Sequence, residues 1–143
     1  MPNRMSTWER ESFLSEVQVG IVGIDEKNRS PRIVPLWYSF DPKIGITIIV
    51  KETSKKLKLL KLAMRFSLCV QKATLPYKHV SVQGPIVDVR PCDDLIDLPK
   101  MVYRYMSAIA GAEYLNKRPA ENSVVLVMKP EKWITADYTG VAG

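Results

Sequence analysis

The stretch IGITIIVKETSKKLKLLKLAMRFSLCV, residues 44–70, changes period twice within 27 residues. Residues 44–50 are a run of isoleucine, valine and threonine, the composition of a β-strand. From Ser54 to Met64 the apolar residues Leu57, Leu60 and Met64 fall at i, i+3 and i+7, one face of a helix. Residues 66–71 return to strand. Cys69 lies in that last apolar run and reads as a small buried hydrophobe.

The flanks extend this pattern. Ser6 and Glu9 have capping-box spacing, so a short helix is expected there, with Trp8, Phe13 and Leu14 as its apolar side. Residues 17–24, 31–40 and 44–50 read as three strands with polar turns between them, a meander. Pro35 marks a bulge or an edge in the second. Residues 78–89 form a long alternating strand, interrupted at Gly84-Pro85 by a bulge or bend. Residues 93–115 are helical, with Pro99 starting or kinking the helix and Gly111 loosening it. Residues 123–129 are a final buried strand, and a tail runs from Trp133 to Tyr138. The sum is about six strands with peripheral helices. Strand mostly follows strand, so the pairing is antiparallel, and a closed or half-closed barrel would hide the edges.

The 143 residues fit one domain, expected over residues 1–143. No apolar run approaches the roughly 18 residues of a membrane span. Residues 1–10 lack the apolar core of a signal peptide, so a cytoplasmic location is expected. Cys69 and Cys92 are not closely spaced, and no H-E-x-x-H or C-x-x-C motif is present, so no metal site is expected. There is no G-x-S-x-G elbow or P-loop, and strand residues rather than a helix follow Gly20 and Gly23, which excludes a Rossmann loop. No catalytic side chain stands out, and His79, the single histidine, reads as structural from the residues alone.

The net charge is +6, and what matters is where it sits. Thr53-Ser54-Lys55-Lys56-Leu57-Lys58 opens a helix directly after a strand. Lysines are unfavourable beside the positive end of the helix dipole, and Lys55 and Lys58 repel across one face. A bound phosphate reverses the sign of each of these effects, because helix amides, the Ser54 hydroxyl and three ammonium groups then meet one anion. The same residues also fit a solvated basic helix end with Ser54 as a plain N-cap. Nucleic-acid binding predicts cations spread along a face with stacking aromatics between them. Here they cluster at one helix start among leucines.

Three segments together resemble the flavin-binding split-barrel superfamily, the pyridoxamine-phosphate-oxidase-like proteins. They are Pro31-Arg32-Ile33-Val34-Pro35-Leu36-Trp37-Tyr38, then Ser54 through Lys58 continuing to Arg65-Phe66-Ser67-Leu68-Cys69-Val70, then Tyr77-Lys78-His79-Val80-Ser81-Val82-Gln83-Gly84. Within the superfamily the chain looks most similar to the branch that includes enzymes using the deazaflavin F420. The resemblance implies a six-stranded antiparallel split β-barrel and a homodimer holding two cofactors, F420 or FMN, at its interface. It implies that Arg32, Ile33, Val34, Pro35, Leu36 and Trp37 line the cofactor ring together with Ile49 and Val50. Ser54, Lys55, Lys56 and Lys58 would hold the phosphate, and His79 would lie near the ring. The implied activity is hydride transfer between the (deaza)flavin and a small organic substrate; the alternative is a non-catalytic storage or sensor protein. The chain departs from the family at Lys58-Leu59, where members often carry arginine and asparagine. A lysine lacks the bidentate guanidinium fork. Ala63-Met64 stands where Asp-Pro is usual, and the C-terminal Arg-x-His of true pyridoxamine-phosphate oxidases is absent, so vitamin B6 chemistry is not expected.

Overall fold

A computed structural model describes residues 2–141; Met1, Ala142 and Gly143, the ends of the expected domain, lie outside the described residues. Helix α1 (Thr7–Ser15) starts at the anticipated capping box, with Glu9 N donating to Ser6 Oγ and Ser6 N to Glu9 Oε1. It buries Phe13 and Leu14, whereas Trp8 is 76% exposed. Five and six residues of helix carry Phe13 and Leu14 off the face that Trp8 occupies.

Strand β1 (Gly20–Ile24) forms a hairpin with β2 (Arg32–Leu36), and β3 (Ser39–Asp41) forms another with β4 (Gly45–Lys51). The expected meander is therefore not continuous: β2 and β3 do not pair, and Trp37-Tyr38 carries the chain from one half of the structure to the other. Helix α2 (Lys55–Ala63) follows β4, capped by Ser54 and ended by Met64 in the left-handed region at φ 54°. Strands β5 (Arg65–Lys72) and β6 (Lys78–Pro91) come next, then α3 (Asp97–Tyr105), α4 (Ala108–Lys117), β7 (Ser123–Met128) and β8 (Lys132–Asp137). The expected helical run over 93–115 is thus two helices. Ser107 restarts the second by accepting from Ala110 N, and Gly111 lets the Tyr103 ring pack closely against α4.

All strand pairs are antiparallel, in the order β2-β1-β5-β6-β7-β4-β3 with β8 also beside β6. There are eight strands rather than six, because residues 31–40 divide and the Trp133–Tyr138 tail is itself a strand. The long β6 joins the halves. Residues 78–85 pair with β5, residues 78–83 also with β8, and residues 86–91 pair with β7 after a register shift between Ile86 and Asp88. The irregularity thus falls beyond the expected interruption at Gly84-Pro85, both of which pair regularly with β5, and the Lys129 backbone packs against Gly84.

Inside the curled sheet Val22, Ile48, Leu68, Val82 and Leu126 form the core, closed by Leu14 of α1 and Leu57 and Leu60 of α2. Strand β5 alternates strictly, with Phe66, Leu68 and Val70 inward. Cys69 therefore faces out and is exposed, not buried as its apolar neighbours imply. Every residue of β7 is buried: Val124, Leu126 and Met128 belong to the barrel core, and Val125 and Val127 are buried outside it.

Candidate functional site

An apolar cavity of about 560 Å³ is lined by the end of β4 and by α3 and α4. On β4, Ile48 and Val50 are core residues; Ile49 and Lys51 alternate to the outer side. Leu36, Trp37, Ile49 and Val50 line one side of the cavity, and Leu98, Met101, Val102 and Tyr114 the other. Four of the expected ring-lining residues thus meet in one cavity. Trp37 is a fixed wall. Tyr105 stacks on its indole at 4.8 Å and 6°, and Tyr114 tilts against it at 6.0 Å.

The Trp37-Tyr38 crossing is held by α3. Tyr38 N donates to the Tyr105 hydroxyl, which donates in turn to Gln18 O at 2.7 Å. Arg104 donates Nε to Tyr38 O and its terminal nitrogens to the carbonyls of Leu14, Ser15 and Glu16 at the end of α1. The Tyr38 hydroxyl donates to Leu14 O, and burial pushes its pKa far above the ordinary phenol value. Arg104→Ala is expected to lower unfolding stability by about 2 kcal/mol, since several charge-assisted bonds to backbone are lost together. Urea denaturation checks this, with Arg104→Lys recovering only part of the loss because an ammonium cannot span four carbonyls.

A second recess, about 500 Å³, lies at the start of α2 and is lined by residues 52–55 with Leu57, Lys58 and Lys61. The Ser54 hydroxyl accepts from Leu57 N and donates to Lys51 O, so its capping role is complete within the chain. The first helix amides have no intrahelical partner, and Ser54 satisfies only that of Leu57. Lys55 pairs with Glu26 at 3.3 Å; Lys58 and Lys61 have no ion pair among the described residues. Lys61 is the residue the sequence reading passed over, and its signal was a further step of three along the same face. Lys56 does not line the recess. It stands about 100° round the helix from Lys55, on the side away from Lys58. Glu52 also lines the recess and opposes an anion there.

The cavity and the recess adjoin along the chain: Ile49, Val50 and Lys51 line the first, and Glu52, Thr53 and Ser54 the second. The remaining expected residues lie elsewhere. Arg32 stands on β2 across from Ile24, two residues before the Glu26 that pairs with Lys55. Val34 packs partly against the barrel core. Ile33 and Pro35 are exposed on β2. His79 lines a separate recess with Gln71, Lys72, Tyr77, Lys78 and Tyr138. Beyond the cavity, Arg90 donates both terminal nitrogens to Asp97 at 2.6 and 2.8 Å, tying β6 to α3; these bonds hold the Asp97 carboxyl below its usual range. Burial pushes the Cys92 thiol up. No cluster of metal-ligating side chains occurs among the described residues. No helix among them is long and apolar enough to cross a membrane.

No protein-family model matches the chain, and no curated protein matches it either. Solved structures do. A conserved hypothetical protein of Mycobacterium tuberculosis superposes with TM-score 0.71 over 98% of this chain and 91% of that one, at 18% identity. An F420 reductase matches with TM-score 0.62 over 87% and 94%, at 16% identity. A FAD-binding protein of Mesorhizobium loti matches with TM-score 0.62 over 93% and 95%, at 18% identity. The fold is the split β-barrel of these solved structures. In this split barrel β6 and the crossing at Trp37-Tyr38 join the two halves, and the apolar cavity opens beside the second of these joints.

Proposed function

We propose that the protein is a cytoplasmic oxidoreductase that binds a flavin-type cofactor, F420 or FMN, and moves a hydride between it and a small organic substrate. The observation that carries this reading is the adjacency of an apolar, aromatic-walled cavity and a lysine-lined helix start along residues 49–54. A planar ring with a phosphate tail needs both, in that order. The cavity volume is in the usual range for ligand pockets, roughly 300–1,000 Å³. The recess offers Lys55, Lys58 and Lys61 with the amides of a helix start, which fits a phosphate. The names of two matching structures, an F420 reductase and a FAD-binding protein, support a cofactor of this type.

When bound, the cofactor supplies the hydride chemistry, and the protein supplies position and electrostatics. Leu36, Ile49 and Val50 exclude water from one side of the cavity, and Trp37, fixed by Tyr105, sets its width. Lys58 and Lys61 anchor the tail, with Lys55 shared between it and Glu26. A homodimer is supported by a mainly apolar row across the outer face, broken only by Ser81: Pro35, Ile21, Cys69, Ser81 and Ile134 are successive cross-strand neighbours, and Ile134 is 57% exposed. A second copy covering that row removes it from water.

Titration of the purified chain with FMN and with F420, followed by absorbance and calorimetry, tests the proposal. Saturable one-to-one binding of one of them is expected, followed by turnover of its reduced form with an organic acceptor. Binding without turnover across an acceptor panel would reassign the protein to storage or sensing. No binding of either would overturn the reading.

A further inference from the structure

The lining of the apolar cavity also carries charge. Lys51, Lys117 and Arg118 line the cavity against a single acid, Glu121. Glu121 is already committed, because it pairs with Lys51 at 3.5 Å. Lys117 has no ion pair among the described residues. Arg118 spends one terminal nitrogen on Ser123 Oγ at 2.9 Å, and Ser123 is a buried polar residue at the start of β7. A guanidinium has five N–H donors, so most of those on Arg118 remain available. The excess positive charge thus collects on Lys117 and Arg118, in the same cavity as the apolar Leu98 and Met101 of α3.

A simpler role exists for cations there. Lys117 and Arg118 end α4, where positive charge suits the helix dipole. That role does not explain the direction of Arg118. Its side chain leaves the α4 terminus and is pinned to β7 by a buried hydroxyl, at the edge of an apolar cavity.

We propose that the α3–α4 side of this cavity selects an aromatic or polycyclic carboxylate as the acceptor, with the apolar body against Leu98 and Met101, leaving Leu36 and Ile49 to the cofactor ring, and the acid on Lys117 and Arg118. The proposal rests on the oxidoreductase reading for the word acceptor, but the binding it predicts needs no cofactor. An apolar site with one cationic end discriminates a carboxylate from its neutral isostere, because the neutral group leaves the charge pair unsatisfied.

The test uses the full chain without added cofactor, titrated calorimetrically with 2-naphthoate and with 2-naphthamide. Naphthoate is expected to bind at least about tenfold tighter, a difference of about 1.4 kcal/mol. In Lys117→Gln/Arg118→Gln that preference is expected to fall to within about twofold, while naphthamide affinity holds; Lys117→Gln, which keeps the Arg118–Ser123 bond, should show an intermediate loss. Equal binding of both probes by the parent chain, or an undiminished preference in the double variant, would overturn the proposal. FMN and F420 titrations of the same variants separate the two readings. Unchanged cofactor affinity supports an acceptor site. A loss of cofactor affinity that parallels the loss of naphthoate preference assigns both cations to the cofactor and ends the proposal.

Discussion

Gly84→Ala is expected to lower the unfolding free energy by roughly 3 kcal/mol or more, and the melting temperature by roughly 10 °C. The cause is space, not backbone freedom. A Cβ at Gly84 would run into the carbonyl oxygen of Lys129, with the Lys129 carbonyl carbon and Glu131 N close behind. That backbone cannot step aside cheaply. Lys129 N donates to Pro85 O and Glu131 N donates to Gln83 O, both at 2.9 Å, so hydrogen bonds clamp the crossing on either side of the glycine. Moving it would break both where β6 passes from one half of the barrel to the other. Gly23→Ala is the control. Its new methyl would meet Ser67 Cβ at 3.8 Å, an ordinary contact, so the change there should be within about 1 kcal/mol and of either sign. Thermal unfolding followed by circular dichroism distinguishes the two; equal melting temperatures would remove Gly84 as the constraint on that packing.

Lys55→Ala/Lys58→Ala is expected to weaken binding of a phosphate-tailed cofactor by about 100-fold. Two charge-assisted hydrogen bonds at about 1.5 kcal/mol each give about 3 kcal/mol, or two decades. Loss of Lys55 also uncovers the Glu26 carboxylate it neutralises, which adds repulsion to the missing attraction. Without ligand the same variant should unfold at an unchanged or slightly higher temperature. The lysines oppose the α2 dipole, and the Lys55–Glu26 pair, with Lys55 54% exposed, contributes little to stability. Lower affinity with equal or greater stability is the signature of residues placed for a ligand. Lys56→Ala is expected to change affinity less than about threefold, because its side chain lies outside the recess. Calorimetric titration of the three proteins beside their melting curves checks all of this.

Parts of the fold were legible in the sequence because local chemistry decides them. Ser54 as N-cap, the alternation in β5 and the capping box at Ser6 each depend on residues within one turn or one strand. The break between β2 and β3 was not legible. Residues 33–38 are an unbroken apolar and aromatic run, and what ends the strand is the capture of Tyr38 N and O by Tyr105 and Arg104, 67 and 66 residues away. Strand β8 was hidden for a similar reason: residues 132–137 are extended because the first half of β6 offers them an open edge.

The same division runs through the candidate site. The basic helix start could be read from six consecutive residues. The cavity could not, because its second wall, with Tyr114, Lys117 and Arg118, arrives only when α3 and α4 fold over the end of β4. One signal for that docking was present. Ser123-Val-Val-Leu-Val-Met128 is apolar on both faces of the strand, which implies a second covering layer.

The central claim is that the start of α2 receives the phosphate of a cofactor whose ring enters the neighbouring cavity. Comparing the bound cofactor, FMN or F420, with its own phosphate-free form on the unmodified protein tests it most directly. Affinity for the phosphorylated form is expected to be at least about 100-fold higher, with the gap closing to less than about tenfold in Lys55→Ala/Lys58→Ala. Equal affinities for the two forms in the unmodified protein, or an undiminished gap in the double variant, would contradict it.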